Sequence, residues 1–366
     1  MARTPLRDKL PDFPWDSLAG AKAQAAAHPE GMIDLSVGNP IDPVSPGVQL
    51  ALANAAGLSG YPQTAGTAEL RAAITSAMER RYGITGLGRD AVLPVVGTKE
   101  AIASLPSLLG LAGETVVIPT LAYPTYEVGA IMAGATVLSA DTPPDFGAAA
   151  LVFINSPSNP SGAVLGVDEL STIVEWARAN DALVASDECY LGLGYNDDRQ
   201  PVSILDPRVC GGNHDNLLAI HSLSKTANLA SYRAGFFAGD PAVVDELIEV
   251  RKHAGLIVPG PVQAAMVAAL VDDDSETFQR QRYASRRAVL MRALVDAGFR
   301  IEHSDAGMYL WATRGEDCRV TVDWLAARGI LVAPGDFYGD GGAQFVRVGL
   351  NATDEQVTAA AARLSA

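Results

Sequence analysis

The sequence predicts an α/β protein. A large α/β/α domain over residues 44–250, built on a seven-stranded and mostly parallel sheet, joins a smaller α+β domain formed by residues 1–43 and 251–366. Three observations carry that expectation. Between Val92 and Ala238, seven short apolar runs mostly alternate with helical patterns, and such alternation gives a mostly parallel sheet covered on both faces. After about Val250 the pattern changes to long helices and then short strands. A chain of 366 residues also has room for one large or two ordinary domains, with ample material for a buried core.

In chain order the runs are 92–96, 115–118, 136–138, 151–154, 183–186, 217–220 and 235–238, each rich in residues that suit strands. Helical patterns at 99–109, 126–133 and 167–180 separate most of them. The stretch 254–271 is nearly long enough to cross a bilayer, but Pro259, Gly260 and Pro261 interrupt it. About ten apolar residues remain, roughly half of a span, so a buried helix after a turn is expected. A long helix over 275–297 carries Arg280, Arg282, Arg286, Arg287 and Arg292, read as a solvated face. Short strands follow near 309–312 and 345–350, and the segment through Pro43 is expected to pack with them.

A formal net charge of −15 excludes the basic stripe of a nucleic-acid surface and adhesion to anionic lipid, so an anionic substrate has to be captured by particular arginines. Cys189, Cys210 and Cys318 are widely spaced and odd in number, which suggests neither a disulfide framework nor a zinc site. Residues 1–15 mix charges with three prolines and lack the apolar core of a signal peptide. A cytoplasmic protein is expected.

In open α/β sheets ligands collect beyond the carboxyl ends of the strands, and the chain's distinctive polar residues follow its strand-like runs. After 217–220 comes His221-Ser222-Leu223-Ser224-Lys225-Thr226, with Arg233 eight residues beyond the lysine. A lysine set between hydroxyls behind a strand, in a chain with five lysines, can hold a phosphate beside a reactive amine. The chemistry it suggests is a Schiff base to pyridoxal phosphate. Asp187 ends the run 183–186, where a desolvated carboxylate needs a positive partner. A protonated pyridine nitrogen is such a partner, and a helix N-cap is the plainer alternative. Tyr190, three residues on, and Asn159, held in the proline-constrained turn 155–162, are placed to donate to the oxygen of the same ring. The turn Gly97-Thr98-Lys99-Glu100 offers backbone N–H groups at a helix start, an anion site in which Thr98 and Lys99 serve mainly through the main chain. Ser222, Ser224 and Arg233 complete a phosphate cup. Tyr123 is either a ring-stacking aromatic or an ordinary half-buried one.

Over nearly its whole length the chain resembles the class I/II aminotransferases of fold type I, the aspartate aminotransferase superfamily. The resemblance is carried by Ser36-Val37-Gly38-Asn39-Pro40, Gly60-Tyr61-Pro62 with Gly66, the Asn159 turn, Asp187 with Tyr190, the Ser222–Lys225 string with Arg233, and Arg347 in Val346-Arg347-Val348-Gly349. It implies that Lys225 is the cofactor lysine and proton shuttle, Asp187 the pyridine-nitrogen partner, Tyr190 and Asn159 the ring-oxygen ligands, and Tyr123 the stacking aromatic. It further implies phosphate ligation by Arg233, Ser222, Ser224 and Thr98. Tyr61 resembles the tyrosine that reaches the phosphate of a neighbouring subunit, which implies a homodimer with shared sites. Arg347 is similar to the arginine that grips the substrate α-carboxylate, a task for a planar bidentate fork, with Gly38 and Asn159 assisting.

Within the superfamily, Phe13-Pro14-Trp15-Asp16, the string 187–194 and Ala333-Pro334-Gly335-Asp336-Phe337-Tyr338-Gly339 resemble the actinobacterial succinyldiaminopimelate aminotransferases of lysine and diaminopimelate synthesis. Ping-pong transfer between glutamate and N-succinyl-2-amino-6-oxopimelate is the expectation. Transamination of another amino acid and a carbon–sulfur β-lyase on the same scaffold stay open. A cofactor-sensing regulator is disfavoured because about forty residues ahead of the fold leave no room for a DNA-binding domain. A nicotinamide dehydrogenase is disfavoured because no G-x-G-x-x-G string follows a strand. For the far end of the substrate, Arg251, Lys252 and His253 are candidates, with a surface helix end the equal alternative, and Met308 and Tyr309 line either the pocket or the core.

Overall fold

The structure, a computed structural model, describes residues 5–365. Its large sheet has seven strands: β1 (Val92–Val96), β2 (Thr115–Ile118), β3 (Thr136–Ser139), β4 (Leu151–Asn155), β5 (Leu183–Asp187), β6 (Leu217–Ser222) and β7 (Ala234–Gly239). They lie in the order β1-β7-β6-β5-β4-β2-β3. β7 is antiparallel to both of its neighbours, while the remaining pairings are parallel, so β1 to β6 all run one way. Each expected run is a strand, two with the expected bounds and the other five extended by one or two residues in all.

Alternation along the strands divides the core. In β4, Val152 and Ile154 face one side, with Leu70, Ile74 and Met78 of helix Ala68–Tyr82 and Leu170, Ile173 and Val174 of helix Val167–Ala179. Leu151 and Phe153 face the other, with Ile102 and Leu105 of helix Thr98–Leu108, Tyr126 of helix Thr125–Ala133 and Leu247 of helix Pro241–Ala254. The change of pattern at Val250 does not coincide with a change of core. Helix Gly260–Val271 packs on Pro46–Ala55 and Ala68–Tyr82 within the first of these clusters, so the material of the large core extends past residue 250.

A second core surrounds a four-stranded antiparallel sheet in the order Ala333–Pro334, Val346–Gly349, Tyr309–Thr313, Arg300–Glu302. Ile33–Asp34 from near the chain start pairs in parallel with Ile330–Leu331. Arg363 adds bonds to the carbonyls of Glu30, Gly31 and Gly329.

The long helix, Asp273–Asp296, departs from the expected solvated face. Arg286 is buried and pairs with Asp42 at 2.7 Å and Asp354 at 2.7 Å, while Arg287 donates to the Ser304 carbonyl. Arg280, Arg282 and Arg292 are exposed as expected, while Arg286 and Arg287 tie the helix to Asp42, Asp354 and the Ser304 carbonyl. No helix among the described residues is long and apolar enough to cross a membrane.

Candidate active site

Because β1 to β6 run one way, their carboxyl ends share one edge of the sheet, and β7 begins at that same edge. A cavity of about 750 Å³ opens there. Its lining includes Gly38, Thr98, Lys99, Tyr123, Asn159, Asp187, Tyr190, Ser222, Ser224, Lys225, Arg233 and Arg347, every expected site residue except Tyr61. Tyr61 is fully exposed and does not reach the cavity of its own chain. Arg251, Lys252 and His253 are not at the cavity either. Arg251 is completely buried against Glu100, at 2.8 Å, and Lys252 pairs on the surface with Glu249, so the distal-end expectation for this trio is corrected.

Asp187 ends β5 with 5 % of its surface exposed. Its Oδ1 accepts from the Cys189 backbone N–H at 3.1 Å and its Oδ2 from the Tyr126 hydroxyl at 2.7 Å. Burial pushes its carboxyl above the ordinary range, against the pull of those bonds. A carboxylate so placed, with no cation among its contacts, is unfinished without a positive partner. Asn155 braces the same region: its amide nitrogen donates to the carbonyls of Asp187 and Pro157, and its oxygen accepts from the backbone N–H of Asn159.

Lys225 follows β6 in the one-turn helix Leu223–Thr226, which Ser222 caps by accepting from the Ser224 N–H at 3.1 Å. Its amine donates to the Gly38 carbonyl. Burial, with the charges of Arg347 and Arg233, holds that amine below the ordinary lysine value. Arg233 carries a left-handed backbone, φ +56°, and its guanidinium lies where a Cβ on Gly97 would be. Gly97 itself has φ +77° and precedes helix Thr98–Leu108, so glycine is required there twice over. The outcome is a guanidinium beside a helix N-terminus, with two hydroxyls lining the same cavity.

Arg347 stands on Val346–Gly349 with 2 % exposure. It donates to Asn159 Oδ1 at 2.8 Å and to the Ser36 carbonyl at 2.6 Å, while its Nε has no protein partner. Five cationic side chains line the cavity against three acidic ones, in a chain whose net charge is −15. Anion capture is thus local.

Sequence reasoning missed Tyr126 and Cys189 and left Tyr309 undecided. Tyr126 lies 61 residues from its partner Asp187, and Cys189, whose thiol donates to Thr98 Oγ1 at 3.3 Å, looked like one of three inert thiols. Tyr309 is at the cavity, its hydroxyl 3.3 Å from that of Tyr190. A tyrosine three residues after Tyr123, in the first turn of a helix starting at the ligand edge, was the one available signal.

A family model described as aminotransferase class I and II matches residues 30–364. The chain is 63 % identical to a probable aminotransferase of Mycobacterium tuberculosis, over 100 % of this chain and 87 % of that one. It is 55 % identical to the 4-dedimethylamino-4-oxo-anhydrotetracycline transaminase of Streptomyces rimosus, over 98 % and 99 %. It is 30 % identical to an LL-diaminopimelate aminotransferase of Nitratidesulfovibrio vulgaris over the whole of both chains. Among solved structures it resembles an aminotransferase of Neisseria meningitidis, with TM-score 0.88, 28 % identity and coverage of 99 % and 98 %. The N-succinyldiaminopimelate aminotransferase of Mycobacterium tuberculosis, with TM-score 0.86, 24 % identity and coverage of 100 % and 99 %, has the same fold.

Proposed function

The chain belongs to the class I and II aminotransferases, pyridoxal-phosphate-dependent enzymes that act on amino acids and 2-oxo acids, and from that premise we propose the residues and the substrate with which it works. The observation that carries the reading is the juxtaposition of a buried, cation-free carboxylate, Asp187, with a buried amine, Lys225, and a phosphate-sized set of donors at one strand edge. These residues fit the cofactor. Thr98, Ser222, Ser224 and Arg233 would hold its phosphate, with the main chain at Lys99. Asp187 would meet its ring nitrogen, Asn159 and Tyr190 its ring oxygen, and Tyr123 its face. When bound, the cofactor supplies an electron sink for the pair left as the substrate Cα–H bond breaks.

The chain's own groups do the rest. Lys225, with its amine held below the ordinary value, has a larger neutral fraction at neutral pH than a free lysine, and it takes the Cα proton on Nζ and returns it. Arg347, fixed by Asn159 and Ser36, presents its fork to the α-carboxylate. Asp187, dry and doubly hydrogen-bonded, keeps its charge where a ring cation gains most from it.

Glutamate and N-succinyl-2-amino-6-oxopimelate are the proposed amino donor and acceptor. The 30 % identity to an LL-diaminopimelate aminotransferase and the cavity volume of about 750 Å³ support an acid built on a pimelate skeleton. A second reading, a bulky cyclic ketone as acceptor, is favoured by the 55 % identical tetracycline-pathway transaminase. Half-reactions decide: glutamate and succinyldiaminopimelate should each bleach the yellow protein, and failure of the second overturns this substrate.

The proposed assembly is a homodimer in which Tyr61 reaches the partner's phosphate site, supported by its full exposure beside exposed Leu58. A monomer by light scattering, or unaltered cofactor affinity in Tyr61→Ala, would remove it. Of the two proposed domains, the larger is extended through Val271 on the packing of Gly260–Val271.

A further inference from the structure

Tyr309 has no role in the scheme above, yet its hydroxyl stands among the groups that act in it. It opens strand Tyr309–Thr313, which pairs antiparallel with Val346–Gly349 so that Trp311 faces Arg347. Two residues from Trp311, Tyr309 shares the face of Arg347, and the guanidinium carbon lies 3.9 Å from its ring centroid. On its other side is Gly38, whose carbonyl accepts from Lys225 Nζ. A Cβ at position 38 would collide with the Tyr309 hydroxyl. Gly38 is not among the positive-φ glycines, so its missing side chain serves to admit the phenol.

We infer that Tyr309 is a further positioning residue of the amino-transfer site, its hydroxyl keeping the Tyr190 oxygen hydrogen-bonded and in place. The inference rests on the cofactor reading of the cavity. The two phenol oxygens are 3.3 Å apart, and either can be the donor by distance alone. Their surroundings decide. Burial, then the neighbouring Tyr309, holds Tyr190 well above the ordinary phenol value. Burial pushes Tyr309 up as well, but Arg347, Lys225 and the bond from Tyr190 outweigh it and bring it below that value. In the cofactor-free chain this favours Tyr190 as donor and Tyr309 as acceptor. A hydroxyl can exchange those roles, so Tyr309 is the group that keeps the Tyr190 oxygen partnered when the Tyr190 hydrogen serves another acceptor.

Tyr309→Phe keeps the ring under Arg347 and removes only the hydroxyl. Tyrosinate absorption in the near ultraviolet, followed through a pH ramp on the full chain without cofactor, should show one of the ten tyrosines ionising ahead of the rest. Tyr309→Phe should lose that early step, and Tyr190→Phe and Lys225→Ala should each move it to higher pH. In the loaded enzyme, Tyr309→Phe should lower kcat about tenfold, as for one unreplaced hydrogen bond, change the amino-acid KM less than about twofold, and shift the pH midpoint of the visible band. Absence of the early step in the folded wild type, or its persistence in Tyr309→Phe, overturns the role. Should Tyr309→Phe not fold, an early step unmoved in both other variants overturns it equally. Loss of colour and of borohydride fixation would strike the cofactor reading alone, since the tyrosinate step is read without it.

Discussion

Replacing Tyr126 by phenylalanine takes one hydroxyl from a buried carboxylate and little else. The ring keeps its stack on Phe153, with centroids 5.1 Å apart, and its edge contact with Tyr123, at 6.0 Å. What is lost is the 2.7 Å bond to Asp187 Oδ2. A hydrogen bond to a charged group contributes about 1.5–3 kcal/mol and one between neutral groups about 1 kcal/mol. Burial already raises the Asp187 carboxyl against the pull of Cys189 and Tyr126, and losing Tyr126 raises it further. The cost to the cofactor-free chain is therefore largest where Asp187 is ionised and shrinks as it takes up a proton. Urea unfolding followed by circular dichroism should show a loss of about 1.5–3 kcal/mol at a pH above the Asp187 titration, falling toward about 1 kcal/mol at a pH below it. In an Asp187→Asn background, where the amide oxygen still accepts, the same change should cost about 1 kcal/mol at either pH, a coupling of about 0.5–2 kcal/mol with the ionised carboxylate. Equal losses at both pH values, or additive single and double variants, would refute an action of the hydroxyl through the carboxylate.

Lys225→Ala should leave the far-ultraviolet circular dichroism unchanged and abolish both turnover and borohydride fixation of the cofactor; full activity would remove its role. Asp187, raised in the folded state, contributes stability that is complete below the unfolded carboxylate value and is lost as pH rises through the folded one. Without cofactor, Asp187→Asn should thus melt above the wild type at neutral pH while holding pyridoxal phosphate more weakly, and a lower melting point would count against the raised carboxyl. Arg286→Met should destabilise the chain by about 3 kcal/mol, because it takes the cation from Asp42, whose side chain is 9 % exposed. Burial raises the Asp42 carboxyl, but its bonds to Arg286 and Gln279 outweigh that and lower it. Its stabilisation is present above the unfolded value and lost as pH falls through the folded one, so the gap between variant and wild type in urea midpoints should narrow on acidification.

The strands were legible because short apolar runs between helical patterns have few other solutions in a chain of this size. The shared edge followed from their common direction, and with it the grouping of Lys225, Asp187, Asn159 and Arg233. Contacts made across the sheet were not legible. Tyr126 meets Asp187 only because β2 and β5 flank β4, an order that no local spacing encodes. Arg251 and Arg286 read as helix-surface charges because burial of an arginine depends on a distant carboxylate, Glu100 in one case and Asp42 in the other. The partner-subunit role proposed for Tyr61 is one that a single chain does not display.

The pairing of Ile33–Asp34 with Ile330–Leu331, reinforced by Arg363, ties two segments some three hundred residues apart in sequence. Ser36 and Gly38, just beyond the first of them, line the cavity together with Leu331 of the second. One short two-stranded clasp is therefore also a wall of the pocket, so a change that loosens it, even one made outside the cavity, reaches the chemistry.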